Sequence, residues 1–259
     1  MVHPSAVVHP DAKIGSGVEI GPFTTVAKDT VIGDGTWIGP NVTIFEGARI
    51  GKKCRIFPGA VISAIPQDLK FQGEDTTAVI GDNTSIRECV TVNRGTKDKL
   101  KTEVGSNCLL MAYVHIAHDC IVGNNVVIAN SVNLAGHVEI EEWVIIEGMA
   151  AVQQFVKIGA HSFITGGSLV RKNVPPFVKA AREPLSYVGV NSVGLRRRGM
   201  DNDIILQIED IYRTIYVRGY NVTNALTIVE QEAPASKEKD QIVNFIRGGR
   251  GLVMPGFNK

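Results

Sequence analysis

The sequence predicts a mainly β protein, a parallel β-helix of hexapeptide repeats followed by a C-terminal α-helical domain. Three observations carry this. An aliphatic residue recurs at every sixth position from Val2 to Val170, filling 26 of 29 slots. Glycine repeatedly follows that slot, and beyond Pro175 and Pro176 the apolar spacing changes from six to helical.

A period of six is neither the strand period of two nor the helical 3.6, although it contains whole multiples of two. It is met by a prism: each hexapeptide makes one short strand and a corner, the aliphatic residue points inward, and three hexapeptides complete an 18-residue coil. Successive coils then stack ~4.8 Å apart as parallel strands. Gly15, Gly21, Gly33, Gly39, Gly51, Gly81, Gly105, Gly123 and Gly159 follow the slot, where a corner is expected to need permissive backbone. Spacing alone leaves the hand of the coil open.

Only Asp68, Glu74 and Asp98 break the slot rule. They mark two stretches expected to project as loops, 63–79 (SAIPQDLKFQGEDTTAV) and 93–103 (NRGTKDKLKTE). The first occupies the space of almost a whole coil. The β-helix is therefore assigned to residues 1–190 and a helical domain to 191–259. In the latter, Ile204, Ile205, Ile208, Ile211, Tyr212, Ile215 and Tyr216 share a face, with Asp201 as N-cap. Two further helices are expected over Asn221 to Glu232 and Ser236 to Ile246, with Ser236 as a cap.

Composition narrows the function classes. The 259 residues are 44% hydrophobic but only 6% aromatic, with 27 glycines, which favours small aliphatic layers and tight turns. A formal charge of +1 does not point to nucleic acid. Cys54, Cys89, Cys108 and Cys120 form no CxxC pair, so reduced thiols in the cytoplasm fit best. The amino terminus lacks a basic segment followed by an apolar run, and no stretch is long enough for an integral membrane segment. A soluble cytoplasmic protein without a cofactor is expected.

Candidate chemistry lies between Met111 and Gly136. From Val104 to Val170 the register is unbroken, so residues 18 apart stack, and His118, Gly136 and Gln154 form one column. His137 lies one coil up and one residue along. An imidazole facing a glycine backbone suits acyl transfer, with a general base to take a hydroxyl proton and a fixed N–H to stabilise the oxyanion. Asp119 is a candidate orienting carboxylate, although strand neighbours normally point to opposite sides, so spacing does not establish a dyad. Zinc held by His115, His118, His137 and His161 is disfavoured, because His161 falls elsewhere on the perimeter and no acidic or cysteine partner completes the set.

QDLK at 67–70, RECVTVNRGT at 87–96, HIAHDC at 115–120, LAGHV at 134–138, QQF at 153–155 and GLRRRG at 194–199 together resemble the UDP-N-acetylglucosamine 3-O-acyltransferases of lipid A synthesis. The resemblance runs nearly end to end. It implies a left-handed coil, a homotrimer with sites between adjacent prisms, and transfer of a 3-hydroxyacyl chain from acyl carrier protein to the 3-hydroxyl of UDP-N-acetylglucosamine. By the same resemblance His118 is the general base, Asp119 its supporting carboxylate, and the Gly136 N–H the oxyanion donor. Asp68 and Lys70 would reach a neighbour's substrate, and His115, His137 and Gln154 would line the cleft. Asn191, Arg197 and Arg198 would hold the uridine and diphosphate, and Gly166 would leave the acyl groove open for chains of about fourteen carbons or more.

Two departures concern Asn93 and Gln153, where the family often has histidine; neither side chain titrates. Between Arg171 and Arg218, nine basic residues face five acidic ones, an excess suited to an acidic carrier protein. A 3-amino UDP-sugar acceptor and a non-catalytic β-helical scaffold remain the alternatives.

Overall fold

The computed structural model describes residues 1–248 and 253–256. The chain winds into a parallel β-helix of three sheets. A nine-stranded first sheet runs from Val7–Val8 to Leu169–Val170, and an eight-stranded second sheet from Lys13–Ile14 to Lys157–Ile158. A third sheet, ten-stranded, starts at Glu19–Ile20. Most strands are two residues long, and the slot residue of each points inward. Ile38, Ile56, Ile86, Leu110, Ile116 and Ile128 are all fully buried in one continuous core.

The residue two before the slot is buried as well, and often polar. Its hydroxyl is satisfied by the next coil: Thr24 Oγ1 donates to Gly39 O (2.7 Å) and accepts from Val42 N–H (3.1 Å), and Thr36 and Thr84 repeat the pattern. Such bridges remove the penalty of burying a hydroxyl and pin one coil to the next.

The glycines after the slot serve a different purpose from the one expected. A Cβ on Gly15, Gly33 or Gly81 would lie 2.5–2.9 Å from atoms of the coil above, so these glycines permit close approach. The left-handed backbone falls two residues later, commonly on residues with side chains, such as Asp119 (φ 59°), His137 (φ 63°) and His161 (φ 60°).

Both loops are shorter than expected. Ser63 and Ala64 still belong to Val61–Ala64, and the chain re-enters the second sheet at Thr77–Ile80, leaving 65–76 outside the coil. Ile50 pairs with Ile80, 30 residues on, where an undisturbed coil takes 18, so twelve residues are inserted, two thirds of a coil. Ile80 pairs with Val104 after 24, so the second loop, 94–100 between Thr91–Asn93 and Lys101–Val104, inserts six. Both insertions are multiples of six, which is why the slot count survives them.

The prolines do not end the sheet. Val178–Ala181 continues the third sheet in parallel beside Phe163–Ile164, then turns back as antiparallel Ser186–Val190. Among the described residues four helices follow: α1 (Ser192–Arg197), α2 (Asn202–Tyr216), α3 (Val222–Glu232) and α4 (Lys237–Gly248). Asp201 caps α2 by accepting from Asp203 N–H, and Asn221 caps α3 by accepting from Asn224 N–H. The short α1 ends in Arg196 and Arg197, with Arg198 as its C-cap, a helix that sequence spacing did not mark. Tyr212 of α2 is fully buried and donates to Pro176 O at 2.6 Å, fixing the helices to the end of the coil.

Candidate active site

His118 and Asp119 sit at a corner between the first and second sheets, just after the strand His115–Ile116. Because Asp119 adopts the left-handed conformation, the alternation of a strand does not apply, and adjacent side chains meet. His118 Nδ1 lies 2.8 Å from Asp119 Oδ2. The opposite-side orientation expected of strand neighbours therefore does not occur here, and the two side chains form a dyad.

Asp119 is fully buried, yet four donors surround its carboxylate. Oδ1 accepts from the N–H groups of Thr96 (3.0 Å) and Lys99 (3.2 Å), and Oδ2 from the Thr96 hydroxyl (2.7 Å) and His118. Burial pushes the carboxyl up, but these hydrogen bonds outweigh it and hold Asp119 below the usual carboxylate range. As an anion Asp119 only accepts, so His118 Nδ1 donates. In the neutral imidazole Nε2 is then the bare nitrogen, and it has no hydrogen-bond partner among the described residues.

Gly136 lies against the face of that ring. A Cβ there would fall 2.6 Å from His118 Cε1 and 2.8 Å from Nε2, so any larger residue displaces the imidazole. At several other corners the N–H at this step is taken by a side chain of an adjacent coil: Ser16 by Asp34, Lys52 by Asp82 and Ser106 by Asn124 of the following coil, and Ala160 by Glu141 of the preceding one. The Gly136 N–H has no acceptor among the described residues. Gln154, above it in the column, is exposed.

His137 stands edge-on to His118 (centroids 5.1 Å, 89°) and stacks on Phe155 (4.6 Å, 16°). Its Nδ1 is 3.1 Å from Asp98 Oδ2, within ion-pair range but off hydrogen-bond direction. His115 bonds Thr91 Oγ1 through Nδ1 (2.7 Å); burial first, and the charge of His118 second, lower its pKa.

Thr96, Asp98 and Lys99 were missed by sequence reasoning. They arrive from the 94–100 loop, about twenty residues before the corner they support, and a polar insertion carries no spacing signal for that contact. Atoms of His118, Asp119 and His137 able to bind a metal lie within 4.8 Å of one another. The acidic partner that the sequence did not supply to a zinc set is thus Asp119, but both its oxygens are already engaged. The arrangement is that of a hydrogen-bonded dyad.

Of the remaining predicted residues, Asp68 and Lys70 leave the same corner of the prism on an earlier coil, whereas Asn191, Arg197, Arg198 and Gly166 lie at its other corners. On the 65–76 loop Lys70 is exposed and Asp68 half-buried, and Asp68 Oδ1 accepts from Lys70 N–H (2.9 Å). Asn191 precedes α1 and donates from Nδ2 to His161 O (2.9 Å), while Arg198 reaches His161 Nδ1 (3.2 Å). Arg197 and Asn191 line a cavity of about 430 Å³ floored by Ile145 and Phe163 of the third sheet. Gly166, at a corner between the third and first sheets, donates its N–H to Glu147 Oε2 at 3.0 Å. Asn93 is buried and pins the first loop by donating from Nδ2 to Ile65 O (2.8 Å); Gln153 is exposed. One chain does not bring the histidine corner together with Asn191, Arg197 and Gly166.

Comparison with known proteins agrees with this architecture. Residues 173–253 match the domain family described as Udp N-acetylglucosamine O-acyltransferase, Domain 2, and residues 101–136 the bacterial transferase hexapeptide family. The acyl-[acyl-carrier-protein]–UDP-N-acetylglucosamine O-acyltransferases of Janthinobacterium sp. (strain Marseille) and Myxococcus xanthus are 42% and 44% identical, the alignments covering 95% and 97% of this chain and 95% and 98% of theirs. The crystal structure of a UDP-N-acetylglucosamine acyltransferase from Bacteroides fragilis superposes with a TM-score of 0.97 at 50% identity, covering 98% of this chain and all of the other. The enzyme from Francisella novicida gives 0.96 at 38%, covering all of this chain and 95% of its own. With the left-handed parallel β-helix and near-complete coverage at these identities, the chain belongs to the acyl-[acyl-carrier-protein]–UDP-N-acetylglucosamine O-acyltransferase family, and it is an acyltransferase.

Proposed function

We propose that the protein transfers a 3-hydroxyacyl chain from acyl carrier protein to the 3-hydroxyl of UDP-N-acetylglucosamine, the first step of lipid A synthesis, with His118 as general base. The observation that carries this is the bare His118 Nε2 beside a Gly136 N–H with no acceptor. Nε2 removes the proton of the sugar hydroxyl as its oxygen attacks the thioester carbonyl. The Gly136 N–H receives the oxyanion of the tetrahedral intermediate. Collapse breaks the carbon–sulfur bond, and the departing thiolate takes the proton back from Nε2. Asp119 holds the productive tautomer and stabilises the imidazolium formed midway.

The sugar nucleotide lies between chains in this reading. His115, His137 and Gln154 line the cleft, Asp68 and Lys70 contact the substrate from a neighbouring subunit, and Asn191, Arg197 and Arg198 take the uridine and diphosphate, for which a guanidinium fork is suited. A homotrimer is supported by the outward face of the first sheet. Its strands present Val7, Thr25, Thr43, Val61, Thr91, His115, Asn133, Ala151 and Leu169, none formally charged, whereas five of the eight on the second sheet are Lys, Arg or Glu. Phe23, Tyr113 and Met149, 64–75% exposed, stand along one edge of the uncharged face. Solution mass measurement of the wild type and Thr43→Glu checks this: a trimer that the charge does not weaken would point to another face.

A cytoplasmic location is supported by four unpaired cysteines, three of them buried, and no helix among the described residues is long and apolar enough to cross a membrane. The basic surface between Arg171 and Arg218 is suited to an acidic carrier protein.

The test is acyl transfer to UDP-N-acetylglucosamine from a ladder of 3-hydroxyacyl carrier proteins, ten to sixteen carbons long. Activity is expected to peak at about fourteen carbons or more. In Gly166→Met the optimum moves to shorter chains, since a Cβ at 166 already meets Gly148 O at 3.2 Å and the longer side chain extends into the open groove. An unchanged optimum in the variant removes Gly166 from chain selection; transfer only to a 3-amino UDP-sugar replaces the acceptor, and no transfer to either points to an acceptor of another kind.

A further inference from the structure

Three aromatic rings stack on successive coils at a corner between the second and third sheets. His161 lies between Trp143 (6.3 Å, 6°) and Phe177 (5.5 Å, 15°), and the His161 and Phe177 backbones are both left-handed. Two flat hydrocarbon neighbours would be served as well by a third. Yet this ring is an imidazole, and two residues assigned above to the nucleotide converge on it. Arg198 Nη1 lies 3.2 Å from His161 Nδ1, its guanidinium 5.3 Å from the Trp143 ring centre, and Asn191 donates to the His161 carbonyl oxygen.

A guanidinium has no lone pair to offer, so in this contact Arg198 donates and His161 Nδ1 accepts. The proton of the neutral ring is therefore on Nε2. Burial, then the charge of Arg198, lower the His161 pKa to about 4, so Nδ1 stays available at neutral pH.

We propose that His161 is a positioning residue for the nucleotide diphosphate: its Nδ1 and the Trp143 face hold the Arg198 fork in one orientation, so that little side-chain freedom is lost when the diphosphate binds. The inference rests on Arg198 being a diphosphate ligand. Without the acceptor, Arg198 keeps its charge but must be ordered by the ligand.

Binding of UDP, measured by calorimetry on the purified protein, separates the ring from its nitrogen. His161→Phe keeps the stack and removes the acceptor; it is expected to weaken UDP about ten-fold, raise KM for the UDP-sugar in parallel, and leave kcat within about two-fold, the size expected for one hydrogen bond to a charged group. His161→Asn, whose Oδ1 replaces Nδ1, recovers part of the affinity. In an Arg198→Ala background His161→Phe has no further effect, because the two residues act through one contact. Wild-type affinity in a folded His161→Phe, or additive losses in the double variant, overturns the proposal. A wild type that does not bind UDP overturns the nucleotide reading and this inference together.

Discussion

His118→Ala is expected to lower kcat by roughly 10²- to 10⁴-fold, the range that a positioned general base supplies. KM for the sugar nucleotide should change little, since the base acts on a proton that moves only in the transition state. Stability should fall modestly, because the ring is partly exposed and the alanine leaves Asp119 three of its four donors. Kinetics on the purified variant, with a thermal melt and a mass measurement alongside, check both halves. A folded His118→Ala within a few-fold of wild type would remove His118 as the base and leave the proton to another group of the cleft.

The fold was legible because a prism asks one thing of the sequence. Each face needs one inward aliphatic residue per coil, and a two-residue strand leaves room for little else. The count persisted through the loops only because they insert twelve and six residues, so Ile62, Ile80 and Val104 remain in phase. That same coincidence hid how short the loops are. The uncharged face of the first sheet is equally readable, since the residue before each slot is its outward neighbour.

Part of the site was legible for the same reason. The 18-residue column predicted His118 against Gly136, and the structure has the ring against that backbone. Asp119 was ambiguous because its orientation depends on a left-handed corner residue, which six-residue spacing does not announce. Thr96, Asp98 and Lys99 were invisible: they come from an insertion that folds back over the corner, and nothing in NRGTKDKLKTE states which carboxylate its N–H groups find. His161 was visible only as a zinc candidate. Its contact with Arg198 joins a coil corner to a helix 37 residues later, beyond any arithmetic of the repeat.

Asp119→Asn separates catalysis from folding more sharply than deletion does. Asp119→Ala strips acceptors from two N–H groups, a hydroxyl and an imidazole in a buried setting, at about 1–3 kcal/mol for each donor left unsatisfied. Much of any activity loss there would reflect a displaced 94–100 loop. Asparagine keeps a carbonyl oxygen where Oδ1 accepts from Thr96 and Lys99, so the loop stays anchored. At the Oδ2 position it presents an NH₂. The Thr96 hydroxyl can rotate to accept from it, but His118 Nδ1 must then also accept, which moves the ring proton to Nε2. A neutral imidazole with its proton on Nε2 has no lone pair there for the sugar hydroxyl. The melting temperature is therefore expected to stay near wild type while kcat falls by ~10³- to 10⁴-fold, a loss of the size produced by the wrong tautomer in carboxylate–histidine systems. Retention of more than a tenth of wild-type activity in Asp119→Asn would sink the tautomer argument and leave Asp119 as the anchor of the loop alone.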